Sequence, residues 1–123
     1  MRGIGFFSVI MLLLTISGCS TGFGFVPTNL EPSKAYLEYW EKPEVAMETR
    51  SRDSTQCGAG PTDRVDFGQI AIQAARRPGE TQRETYSRIF DDWQRCMLKK
   101  GYHYTGKCFD NEISRALPAC GAP

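Results

Sequence analysis

Hydrophobic residues crowd the first eighteen positions of the chain and are spread periodically over the rest. After a single cation, Arg2, an apolar run occupies residues 4–16, interrupted only by Gly5, Ser8 and Thr15. Residues 20–32, STGFGFVPTNLEP, follow with two glycines, two prolines and no regular period, which is the composition of a tether. Residues 33–42, SKAYLEYWEK, predict a short helix with Ser33 as N-cap; Tyr36, Leu37 and Trp40 form one aromatic edge before Pro43 interrupts. Residues 44–56 predict a second helix, acidic in its first turn with Arg50 and Arg52 later, as the helix dipole prefers, and closed by Cys57-Gly58. CGAGPTD, residues 57–63, reads as a loop. Over residues 63–76, Phe67, Ile70, Ala71 and Ala74 make a helical stripe that Gly68 weakens and Pro78-Gly79 ends.

The most regular pattern lies in TQRETYSRIFDDWQRCMLKKG, residues 81–101. Thr81 and Glu84 have the spacing of a capping box, Gly101 suits the position after a helix end, and Lys99 and Lys100 occupy the last turn. Tyr86, Ile89, Phe90, Trp93, Cys96 and Met97 follow the 3.6-residue period throughout, so this is the expected central helix. YHYTGKC, residues 102–108, reads as extended or turn, and in FDNEISRALP either Asp110 or Asn111 caps a helical turn or two that stops before Pro118. The expected fold class is mainly α: a small helical domain stapled by disulfides, with an irregular C-terminal segment.

The N-terminal run is too short to span a membrane. As a helix, its thirteen residues would rise roughly 20 Å, against a hydrocarbon core of roughly 30 Å. A basic start, an apolar stretch and small residues at the end are the layout of an export signal. Ile16-Ser17-Gly18-Cys19 resembles the bacterial lipobox (aliphatic, small, small, Cys) at the correct distance from the apolar run. The resemblance implies diacylglycerol on the Cys19 thiol, cleavage between Gly18 and Cys19, and acylation of the new amino group. Two or three acyl chains, at about 0.8 kcal/mol per buried methylene, give stable anchoring. Serine rather than aspartate at position 20 favours the outer membrane, by the sorting rule of the enterobacterial lipoproteins it resembles. The expected organisation is a leader over residues 1–18, a lipidated tether over 19–32, and a folded domain over 33–123. Phe23 and Phe25 in the tether are expected to pack on the domain or to be merely tolerated, in preference to dipping into the lipid interface.

The cysteine count agrees with this address. Five cysteines occur in 123 residues; with Cys19 lipidated, Cys57, Cys96, Cys108 and Cys120 remain for an oxidising compartment, where three pairings are possible in principle. Cys96 lies on the core stripe of the central helix and Cys57 ends an earlier helix. The expected pairs are therefore Cys57–Cys96, a core staple, and Cys108–Cys120, a clip on the C-terminal segment. WEKP, RDSTQCG and WQRCMLKKGY together resemble a pattern in small proteobacterial lipoproteins, in which Trp-x-Lys-Pro precedes one cysteine and a later Cys-Met is followed by Gly-Tyr. That resemblance, over roughly residues 40–104, implies location and a disulfide-stapled fold, and no activity.

The residues offer little to catalysis. His103 is the one histidine, no Gly-x-Ser-x-Gly occurs, and paired or lipidated cysteines leave no nucleophilic thiol. Neither a metal site nor a cofactor is expected, because one histidine and no thiolate leave only carboxylates as ligands. Asp91 and Asp92 point about 100° apart on a helix and do not flank a common bond. With Arg88 and Arg95 at helical spacing they read as a solvated, ion-paired face. Charge is more informative. Residues 28–48 carry five acidic and two basic side chains, whereas residues 76–107 carry eight basic and four acidic ones. Helix-end preference and charge complementarity within the domain account for this asymmetry most simply; the sharper reading makes Arg76, Arg77, Lys99, Lys100 and Lys107 a basic face toward phospholipid, lipopolysaccharide or an acidic partner. Nucleic acid is excluded by the compartment. The expected function is a non-enzymatic accessory or interaction module of the outer membrane. The alternative is an envelope-tethered inhibitor of a lysozyme or protease, with the loop YHYTGKC expected to be exposed and to make the contact through Tyr102, His103, Tyr104 and the lysine beside them, Lys107.

Overall fold

The computed structural model describes residues 33–123 of the chain. The expected leader with Gly18, the lipidation candidate Cys19, and the expected tether with Phe23 and Phe25 lie outside the described residues. The domain is mainly helical. In order it has a 3₁₀ turn Tyr36–Tyr39, strand β1 (Trp40–Glu41), helices α1 (Met47–Gln56), α2 (Gln69–Ala75) and α3 (Gln82–Lys99), strand β2 (His103–Tyr104), helix α4 (Glu112–Arg115), and a 3₁₀ turn Pro118–Cys120. Among the described residues no helix is long and apolar enough to cross a membrane.

Helix α3 is the spine against which α1, α2 and the Pro118–Cys120 turn pack. Its start is the capping box read from the sequence: the Glu84 amide donates to Thr81 Oγ1 at 3.2 Å, and the Thr81 amide donates to Glu84 Oε2 at 2.7 Å. Gly101 follows its end with φ +87°, where a side chain would be strained. Trp93 and Met97 are fully buried, while Ile89 and Phe90 pack at the core's edge. Trp93 stands edge-on to Trp40, with ring centroids 5.2 Å apart, and stacks on Phe90 at 5.9 Å. Its indole N–H donates to the buried Ser54 hydroxyl at 3.1 Å, which satisfies both polar groups. Leu37, Ala59, Val65, Phe67, Ile72 and Tyr102 complete the core.

Both disulfides have the expected partners. Cys57–Cys96 joins the end of α1 to α3 with Cα atoms 5.7 Å apart, and Cys108–Cys120 clips the C-terminal segment with Cα atoms 5.8 Å apart. Asn111 caps α4, its Oδ1 accepting from the Ser114 amide at 2.8 Å. Buried Gln94 holds the final turn onto α3 by accepting from the Ala119 amide at 2.8 Å.

Several local expectations are corrected. Residues 33–42 do not form a helix capped by Ser33; only the Tyr36–Tyr39 turn is helical, with Ala35 before it, and Trp40–Glu41 is extended. Trp40 is fully buried and pairs antiparallel with Tyr104, as Glu41 does with His103, and that pairing holds the backbone out of a helix. Helix α1 starts at Met47 rather than at residue 44, because Glu44 has φ +62° and ends any earlier helical turn. Helix α2 occupies only Gln69–Ala75 of the expected 63–76. Its buried residue is Ile72, whereas Ile70 is 85% exposed and Ala71 and Ala74 face solvent. Asp92 pairs with both Arg88 and Arg95, but Asp91 makes no ion pair among the described residues and is partly buried, which raises its carboxyl above the usual range.

The loop before α2 is pinned at several points. The Leu37 amide donates to the Asp63 carbonyl at 3.0 Å and the Gly60 amide to the Asp66 carbonyl at 2.8 Å. Between these ties Val65 is buried at φ +56°, a conformation that costs a β-branched residue on the order of 1–3 kcal/mol. A side chain at Gly60 would bring its Cβ to 2.6 Å from Asp66 Oδ1, the end of an exposed side chain that would have to swing aside.

Glu80, between α2 and α3, gathers four donors. Arg88 Nε and Nη2 reach it at 2.8 Å, and the Arg77 amide and the Thr85 hydroxyl at 3.0 Å. The Arg88 hydrogen bond, followed by that from Arg77, pulls the Glu80 carboxyl down from 4.5 to about 2. Because its folded pKa lies below its unfolded value, its contribution is complete above pH 4.5 and is lost as the pH falls toward about 2. Urea unfolding followed by circular dichroism at a series of acid pH values is expected to show a falling midpoint across that window. Glu80→Gln should flatten that fall; an identical acid limb in the variant would refute this role.

Candidate functional site

The basic residues picked out by sequence do not converge on one face. Arg76 and Arg77 are exposed just after α2, with Arg76 Nε donating to the Glu80 carbonyl at 2.7 Å. Lys99 and Lys100 lie at the far end of α3, whose eighteen residues make about 27 Å of helix. Lys107 is exposed on the C-terminal segment, its ammonium 4.8 Å from the centre of the Phe109 ring. The aromatic loop is also different from expectation. Tyr102 is only 2% exposed and belongs to the core, and half-buried Tyr104 packs on Tyr36, Tyr39 and Trp40. Of the expected contact residues in YHYTGKC, Tyr102 is buried and Tyr104 half-buried, while His103, on β2, and Lys107 are exposed.

Lys100 instead enters a cluster with Lys42, Arg50, Asp53 and Gln56 from the first third of the domain and with its near neighbour Tyr102. Its ammonium reaches Asp53 Oδ1 at 3.1 Å and Gln56 Oε1 at 2.8 Å, both on α1. The Tyr102 hydroxyl donates to the other Asp53 oxygen at 2.7 Å. Lys42, just after β1, donates to the Lys100 carbonyl at 2.8 Å and lies 5.6 Å from the centre of the Tyr102 ring. Arg50 precedes Asp53 by three residues on α1, and its Nη1 reaches the Glu38 carbonyl at 3.5 Å.

Electrostatics follow from these contacts. The Tyr102 hydrogen bond, reinforced by Lys100, holds the Asp53 carboxyl below the usual range, so Asp53 is an anion throughout the neutral region. Burial, together with the hydrogen bond to that anion, pushes the Tyr102 hydroxyl up to about 12. The pair is thus a fixed donor and a fixed acceptor with no proton to exchange near neutrality. What the cluster offers is positive charge arranged beside a rigid aromatic wall.

The sequence reading missed Lys42, Arg50 and Asp53 as a group. The three-residue spacing of Arg50 and Asp53 on a predicted helix was visible, but their meeting with Lys100 depends on the packing of α1 against α3. Away from this cluster, a groove of about 500 Å³ runs between α2 and α3 over Phe67, Ile72 and Tyr86, with Asp66 and Arg83 at its rim. Among the described residues no group of three or more His, Cys, Asp or Glu side chains is placed to hold a metal ion.

Fold and site together define a small, mainly helical domain with two disulfides and a cationic cluster at one end of its longest helix. No protein-family model matches the chain, nor does any curated protein or solved structure.

Proposed function

We propose that the protein is a lipid-anchored, non-enzymatic accessory module of a bacterial outer membrane, holding its domain near the bilayer to meet another envelope component. One observation carries the reading: the two disulfides use all four cysteines of the domain, so Cys19 is the odd one out, at the end of a leader-like segment. Disulfides of this kind persist in oxidising compartments such as the periplasm, in agreement with export. The lipobox resemblance at residues 16–19 supplies the job for Cys19. The inhibitor reading drew on the loop YHYTGKC as an exposed aromatic contact, and its first aromatic residue, Tyr102, belongs to the core, so the accessory role is the one we carry.

Metabolic labelling with an alkyne fatty acid, combined with in-cell crosslinking of the full-length protein, tests this. The wild-type chain is expected to take up label, fractionate with the outer membrane and enrich one envelope protein in its crosslinks. Cys19→Ser should lose the label, keep the leader and lose the crosslink. A wild-type chain without label, or a labelled Cys19→Ser chain, would overturn the anchoring. A labelled chain that never crosslinks to another component would overturn the accessory role.

A further inference from the structure

The cluster at the end of α3 carries more positive charge than its own groups neutralise. Lys42 and Lys100 lie near one carboxylate, Asp53, which is already engaged by Lys100 and the Tyr102 hydroxyl, and the charge of Arg50, three residues earlier on α1, acts on that same hydroxyl. Neither Lys42 nor Arg50 makes an ion pair among the described residues. A formal surplus of two positive charges remains on half-buried side chains.

Helix ends account for part of this arrangement. A cation beside the last carbonyls of a helix is favourable, and Lys42 occupies that position on the Lys100 carbonyl. Arg50 has no such explanation. Its guanidinium carries five N–H donors, of which one is used in a single long contact at 3.5 Å, and its Nε is buried with no partner. Leaving a buried donor unmet is costly, and the planar fork of an arginine fits the oxygens of an oxyanion. A phosphate monoester or inorganic phosphate carries about −1.5 to −2 charges at neutral pH, which matches the surplus, and offers three or more acceptor oxygens.

We propose that Lys42, Arg50 and Lys100 form a binding site for a phosphate group, supplied either free in solution or as the monoester headgroup of a lipid. Arg50 and Lys42 bind the phosphate oxygens, and Lys100 is held in place by Asp53 and Gln56. The site stands on the domain's own residues and does not depend on the lipid anchor.

Amide ¹H–¹⁵N shifts of the full-length protein in nonionic detergent micelles, at physiological salt, test the proposal with two probes. Inorganic phosphate is titrated in one series, and micelles doped with phosphatidic acid in the other, with chloride as control. Saturable shifts are expected at Arg50, Asp53 and Tyr102, with an affinity loss of about tenfold in Arg50→Gln and again in Lys42→Gln. Two variants at separate elements guard against a folding defect in one, since each must keep the dispersed wild-type spectrum elsewhere. Saturation by inorganic phosphate identifies a free phosphate ligand, and saturation by phosphatidic acid alone identifies a headgroup. Linear, unsaturated shifts with both probes, or wild-type affinity in both variants, would overturn the site.

Discussion

Replacing Cys57 and Cys96 together by serine is expected to remove about 4 kcal/mol of stability, the largest loss from any pair of cysteines in the domain. The bridge closes a 39-residue separation, and the loop-entropy relation converts that separation to about 4 kcal/mol, against about 3 kcal/mol for a 12-residue closure such as Cys108–Cys120. Its position adds a structural reason. It ties the end of α1 to the last turns of α3, and the cationic cluster around Asp53 is built across the same two helices. Small domains have a total stability of about 5–15 kcal/mol, so the double variant should be partly unfolded at growth temperature. Denaturant unfolding of the oxidised wild type and of the two double variants gives the ranking directly. A smaller loss for Cys57→Ser/Cys96→Ser than for Cys108→Ser/Cys120→Ser would contradict it.

Trp93→Ala is expected to be comparably damaging, at about 3–5 kcal/mol. The indole is fully buried and contacts Tyr36, Trp40 and Phe90, so its removal opens a cavity in the middle of the aromatic cluster. The Ser54 hydroxyl also loses its donor partner inside the core. Trp93→Phe keeps a ring but not the N–H and should fall between wild type and alanine. Adding Ser54→Ala to Trp93→Phe should then cost less than Ser54→Ala costs alone, because the hydrogen bond is already gone. Independent, additive losses in that cycle would show that the Trp93–Ser54 contact contributes nothing.

What the sequence reveals and what it hides divides along physical lines. Helix α3 was legible because its signals are local and agree: a capping box at Thr81 and Glu84, an apolar stripe through Trp93 and Met97, and Gly101 at the end. The disulfide pairing followed from that helix, since Cys96 lies on the stripe. Helix α2 was misphased because the stripe was counted from Phe67, which precedes the helix. The chain between Val65 and Gly68 is irregular, so a 3.6-residue period run through it points to Ile70 when the buried residue is Ile72. The β1–β2 pairing was invisible for another reason. Trp40 and Tyr104 are distant in sequence, and two-residue strands carry no alternation of their own. The cationic cluster was hidden in the same way, because Lys42, Arg50 and Lys100 are assembled only by the packing of three elements.

The order of the cysteine pairs has a consequence for how the protein matures. Along the domain each cysteine is joined to the next one in sequence, Cys57 to Cys96 and then Cys108 to Cys120. If Cys19 is blocked by a lipid as proposed, a chain delivered amino end first to a thiol oxidase that links each cysteine to the next arrival reaches its final connectivity directly. Reshuffling of wrong pairs is then unnecessary, so maturation should need an oxidase but not a disulfide isomerase.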